Sequence, residues 1–154
     1  MISKTRLALS ALAFSAAGFV GLLGYEGYTG QATIPVKGDV PTIGFGTTEG
    51  VKLGDTITPE AAIERAFRDI RKTESAIHKC VDVPLSQGEY DAFTSFAYNV
   101  GTSAFCSSTL VKKLNAGDYS GACEELKRWV YVKGRKVQGL VNRREKEYQM
   151  CMSR

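Results

Sequence analysis

A chain of 154 residues has room for one domain, and with 44% hydrophobic and 23% charged residues it has the make-up of a globular protein, not of a disordered one. Its formal charge of +4 is uneven: Arg128, Lys133, Arg135, Lys136, Arg143, Arg144 and Lys146 crowd the last quarter, which suits an anionic partner. With His78 as the only histidine, inside a helical stretch two residues from Cys80, and no C-x-x-C pair, a zinc centre and a serine or cysteine hydrolase are poorly supported, and without a G-x-x-x-x-G-K-[ST] stretch nucleotide chemistry is unsupported.

Leu7 to Gly24 carry no charge, and Lys4 and Arg6 precede them, so the basic end is expected to stay cytoplasmic while the rest is exported. As one helix the run is about 27 Å long against a hydrocarbon core of about 30 Å, just enough to span. Its hold is expected to be weak. Only eight of its residues are large and apolar, each contributing about −0.5 kcal/mol to insertion, and the other ten are Ala, Ser or Gly. Ser15-Ala16-Ala17 before Gly18 also suits a signal peptidase, so a cleaved secretory peptide is the competing expectation. On the anchor reading the chain divides into a signal-anchor segment, residues 1–24, and a domain, residues 25–154.

Beyond the anchor, Ala32–Val36 and Val40–Phe45 carry β-branched residues around Lys37-Gly38-Asp39, a hairpin pattern, and Gly44, Gly46, Gly50 and Gly54 mark turns. Helical character starts at Thr58, which can cap, with Pro59 and Glu60 in the first turn and Ile63, Phe67, Ile70 and Ile77 on one face as far as Lys79. Ser86-Gln87-Gly88-Glu89 is a capping box for a second helix, with Tyr90, Phe93, Ala97 and Val100 as its apolar stripe and Gly101 as its end. Ser107 or Ser108 opens a short helix that buries Leu110, Val111 and Leu114; another runs from Ser120 to Trp129, a core residue. A basic loop leads to a last helix, Leu140 to Met152. The sum is an α+β domain, a small β-lobe followed by a larger helical lobe.

Four cysteines without a C-x-x-C pair, in an exported chain, point to disulfides. Three pairings are possible, and Cys80–Cys106 with Cys123–Cys151 is favoured; four buried free thiols are the alternative.

Carboxylate chemistry is what remains. Cleaving a glycosidic bond needs an acid beside the leaving oxygen and a second group that activates water or stabilises the oxocarbenium. Glu26, flanked by Tyr25 and Tyr28 after an apolar run, has surroundings that desolvate a carboxyl; its other reading is a charge that ends a membrane segment.

E-G-Y at 26–28, P-T-I-G-F-G at 41–46, F-A-Y-N-V-G-T-S-A-F-C from 96, and G-L-V-N-R-R-E-K-E at 139–147 resemble the phage-type lysozymes, the endolysins of tailed phages. The likeness runs from Tyr25 to about Cys151. It implies a lysozyme-like fold and hydrolysis of the β-1,4 bond between N-acetylmuramic acid and N-acetylglucosamine in peptidoglycan, for host lysis. It also implies roles: Glu26 as general acid, Thr42 positioning water, Tyr98 and Asn99 lining a cleft, and Arg143 with Arg144 as a basic pair on the last helix that touches substrate; read from the residues alone, the pair forms a solvated face or a salt bridge to Glu147. Glu26 and Thr42 stand one residue further apart than the family's usual spacing, and Val36 occupies the place six before Thr42; Asp39, the only acid in the hairpin, takes the second carboxylate role.

The amino terminus resembles the signal-arrest-release subset. That likeness implies export through the Sec translocon, tethering in the host inner membrane in an inactive state, and release to the periplasm when a holin or pinholin collapses the membrane potential. A monomer with no metal, cofactor or nucleic-acid partner is expected. The rivals are a lytic transglycosylase, which needs one acid and no water, and a membrane-tethered module that binds cell wall without catalysis.

Overall fold

The computed structural model describes residues 4–153. In chain order its elements are α1 (Ala16–Glu26), β1 (Thr29–Thr33), β2 (Thr42–Gly44), α2 (Pro59–Cys80), α3 (Gln87–Val100), α4 (Thr102–Cys106), α5 (Thr109–Asn115), α6 (Tyr119–Glu125), β3 (Tyr131–Val132), β4 (Arg135–Lys136) and α7 (Gln138–Met152). The chain forms two compact units, one from the described residues up to Gly18 together with those from Thr73 onward, the other Phe19–Lys72.

The 18-residue anchor helix is not what these residues form here. Leu7 pairs through its backbone with Leu85, Leu9–Ala11 make a 3₁₀ turn, and helix begins only at Ala16. Ser15 sets that start. Its hydroxyl accepts from the Gly18 N–H at 3.0 Å, the bond an N-cap makes, while its own N–H donates to Asp91 at 2.9 Å. No helix among the described residues is long and apolar enough to cross a membrane; residues 1–3 of the expected signal-anchor segment lie outside them.

In the smaller unit β1 and β2 pair antiparallel, Thr29 opposite Gly44 and Thr33 opposite Thr42, with an irregularity between. The first strand starts three residues earlier than expected and the second is shorter, so residues 34–41 form a loop with Ile34, Val36 and Val40 exposed. Helix α2 is capped by Thr58, whose hydroxyl accepts from the Ala61 N–H. Its buried stripe differs from the expected one: Ile70 and Ile77 are inside, but Ile63 and Phe67 are exposed and Ala62 and Ala66 take their place. The reason is steric. A Cβ built on Gly44 would lie 3.0 Å from the Ala62 Cβ, an approach that only small residues permit.

The larger unit is helical around Tyr90, Phe93, Phe96, Phe105, Leu110 and Leu114, all fully buried. The capping box forms as expected, the Ser86 side chain accepting from the Glu89 N–H and Glu89 accepting from the Ser86 N–H. Gly101, at φ 91°, ends α3 and opens the extra short helix α4. Ser108 caps α5, and the expected 120–129 helix divides into α6 and a 3₁₀ turn at Leu126–Arg128. Trp129 lies edge-on to Phe96 at 5.3 Å, at the margin of the core. The expected basic loop is a second hairpin, β3 with β4, turned by Lys133 and Gly134, both at positive φ.

Both disulfides are Cys80–Cys106 and Cys123–Cys151, spanning 26 and 28 residues. Chain entropy assigns each about 3.5 kcal/mol. Cys123 and Cys151 are buried in the core, so the Cys123→Ala, Cys151→Ala protein should lose about 3 to 4 kcal/mol in urea unfolding, with a steeper slope because the unfolded chain without the cross-link is less compact.

Candidate active site

Glu26 is the last residue of α1, half-buried. The turn after β2 is built around it. Ile43 and Thr47 exchange backbone hydrogen bonds of 3.0 and 3.1 Å across Gly44-Phe45-Gly46, with both glycines at positive φ. The Thr47 hydroxyl donates to Asp69 on α2 at 2.7 Å, and the Tyr28 hydroxyl donates to the Ile57 carbonyl at 2.7 Å while its ring meets Phe45. The turn is thus fixed from two sides, and it presents a residue without a side chain to the carboxyl. A Cβ on Gly46 would lie 3.1 Å from Glu26 Oε2 and 3.6 Å from Cδ. Gly46→Ala should displace the carboxyl and strain the backbone by about 1 to 2 kcal/mol. A crystal structure of the variant checks the displacement and thermal melting checks the strain.

Thr42 opens β2, its hydroxyl donating to the Val40 carbonyl at 3.3 Å. Asp39 is exposed in the 34–41 loop, its N–H donating to the Val36 carbonyl at 2.9 Å. Val36, the residue six before Thr42, is exposed in the same loop. Glu26, Thr42 and Asp39 therefore all belong to the smaller unit.

In the larger unit Tyr98 and Asn99 are half-buried near the end of α3. Asn99 is held by Arg144, which donates to its Oδ1, to the Trp129 carbonyl at 3.1 Å and to Glu147 at 2.6 Å, and whose guanidinium lies over the Phe96 ring. Arg143, 5% exposed, donates to Glu147 at 3.1 Å and to the Ser95 carbonyl at 3.2 Å. Both guanidiniums of the pair are buried and reach Glu147, so the expected salt bridge forms and the solvated-face reading does not hold. A groove of about 340 Å³ in this unit is lined by Asn99, Trp129, Tyr131, Val132 and Arg144, among others.

Two contributions were not legible beforehand. Gly46 stands 20 positions from the carboxyl it accommodates, and Arg144 stands 45 from the amide it fixes. In the sequence the glycine is a turn signal closing the P-T-I-G-F-G block and the arginine half of a charged pair, and neither pattern names the side chain it meets.

A family model described as phage lysozyme matches residues 24–147. The chain is 40% identical over 141 residues to the SAR-endolysin of Pseudomonas phage phiKMV, which covers 89% of this chain and 87% of that one. Among solved structures it is similar to the endolysin from Escherichia coli O157:H7 phage FAHEc1, with a TM-score of 0.79 and 35% identity over 92% of this chain and 94% of that one. It is also similar to the muramidase domain of SpmX from Asticaccaulis excentricus, with a TM-score of 0.84 and 27% identity over 92% and 99% of the two chains. A helical majority with small antiparallel hairpins is the fold these proteins share with it.

Proposed function

The chain belongs to the phage lysozyme family, and from that premise we propose that it is an endolysin hydrolysing the β-1,4 bond between N-acetylmuramic acid and N-acetylglucosamine in peptidoglycan. Glu26 is the general acid that protonates the leaving oxygen. Thr42 holds the attacking water, and Asp39 activates it or stabilises the developing positive charge. The observation that carries this reading is the seat of the Glu26 carboxyl against Gly46, in a turn anchored from both sides. A general acid has to be placed in a fixed orientation, and the anchored turn brings the side-chain-free Gly46 beside the carboxyl, leaving it room there. Tyr98 and Asn99 contact the glycan. Arg143, its guanidinium taken up by Glu147 and the Ser95 carbonyl, serves by holding α7 to α3.

The enzyme has a second, silent state, in which residues 7–24 of the 1–24 signal-anchor segment span the host inner membrane and residues 25–154 wait in the periplasm. Glu26 then lies two residues beyond the span, at the lipid interface, and cannot reach a sugar. Export through the Sec translocon leaves Lys4 and Arg6 in the cytoplasm. Moving each of these charges outward against a negative-inside potential costs about 2.3 kcal/mol per 100 mV, a cost that disappears when a holin or pinholin depolarises the membrane.

A zymogram with embedded peptidoglycan tests the enzymatic reading. The wild type should clear the gel and Asp39→Asn should clear it weakly. A wild type that binds the gel without clearing it would favour the non-catalytic module, and full clearing by Asp39→Asn would assign the second carboxylate elsewhere.

A further inference from the structure

Within the larger unit, three buried carboxylates hold the amino-terminal segment. Glu89 is 1% exposed, Asp91 5% and Glu74 8%. The Arg6 guanidinium forks onto Glu89, with Nη2 to Oε1 at 2.7 Å and Nε to Oε2 at 3.0 Å, and lies 3.6 Å from the centroid of the Tyr119 ring. Asp91 accepts from the Ser15 N–H at 2.9 Å and from the Ser15 hydroxyl at 2.5 Å. Glu74 accepts from the Phe14 N–H at 2.6 Å. Between these contacts Leu12 enters the core, and Leu7 and Leu85 exchange backbone hydrogen bonds of 2.8 and 2.9 Å.

A surface strap needs no buried acids, because water can satisfy its backbone. When residues 7–24 span a bilayer, the three carboxylates keep the donors of the helical body, the Ser86 N–H on Glu89, Gln87 on Asp91 and Tyr90 on Glu74, and docking of the segment restores the rest as charge-assisted hydrogen bonds.

We propose that Glu74, Asp91 and Glu89 form a receptor that draws residues 4–15 out of the membrane, so that these three acids set the position of the tethered–released equilibrium. The inference rests on the tethering described under Proposed function. The receptor acts on release and not on the chemistry, because none of its residues belongs to the proposed catalytic set.

The test uses the full-length protein exported in bacteria, with membrane and soluble fractions assayed over time after an uncoupler is added. Asp91→Ala removes one acceptor, while Arg6→Lys keeps the basic flank that directs insertion and removes only the fork. Each should shift the membrane-to-soluble ratio about tenfold toward the membrane. The soluble fraction, once purified, should digest peptidoglycan at the wild-type rate. Because Arg6→Lys alters the segment and not the receptor, it also guards against a folding defect. Trypsin adds a second reading: cleavage after residue 6 should be slow in the released wild type and fast in the released variant. Release of both variants with wild-type kinetics would overturn the receptor and leave tethering intact. A wild type never found in the membrane fraction would overturn both.

Discussion

Glu26→Gln should lower the turnover of peptidoglycan by roughly 10²- to 10⁴-fold, the contribution of a positioned general acid. The amide matches the carboxyl in size, so it fits against Gly46 where a larger group would not. It has no proton to give to the glycosidic oxygen. Because the side chain is half-buried at a helix end, the melting temperature should stay close to that of the wild type, within the range of ordinary surface substitutions. Turbidity clearance of purified cell walls, measured beside a thermal melt, separates the two effects. A variant that retained even a third of the wild-type rate would remove Glu26 from the chemistry.

Glu147→Gln should instead act on the fold. Its carboxylate is fully buried and accepts from Arg143 at 3.1 Å, from Arg144 at 2.6 Å and from the Ser95 hydroxyl at 2.7 Å. Neutralising it leaves two buried guanidiniums with one anion fewer, a loss of about 3 to 5 kcal/mol. For a domain of this size that is a fall of roughly 10 °C or more in melting temperature. Arg144 also fixes Asn99 and the Trp129 carbonyl, so at low temperature, where the variant is still folded, KM should rise. A melt within two or three degrees of the wild type would contradict the account of this network.

What could be read from the residues, and what could not, follows from the range of the interactions. The capping box Ser86–Glu89, the Thr58 and Ser108 caps and the Gly101 stop are settled within four residues, so each stands where expected. The disulfide pairing was legible only as one of three, and the cores around Tyr90 and Leu110 then bring the favoured partners together. Ile63 and Phe67 satisfied a helical period yet lie outside, because the hairpin packs onto Ala62 at a distance set by Gly44. The β3–β4 hairpin escaped notice because its strands are two residues each and its turn uses Lys133 in a conformation usual for glycine. The amino-terminal run is the sharpest case. Its composition satisfies a bilayer, while its docked form depends on Glu74, Asp91 and Glu89, which stand 60 to 83 positions away in their pairings with Phe14, Ser15 and Arg6. No window along the chain contains both partners.

Digestion of peptidoglycan in ¹⁸O-enriched water, followed by mass spectrometry of the fragments, reaches the bond itself. A hydrolase guided by Glu26 should place one heavy oxygen at each new reducing muramic acid end. Unlabelled 1,6-anhydromuramyl ends would mean that the sugar's own hydroxyl had closed the ring, and the enzyme would be a transglycosylase.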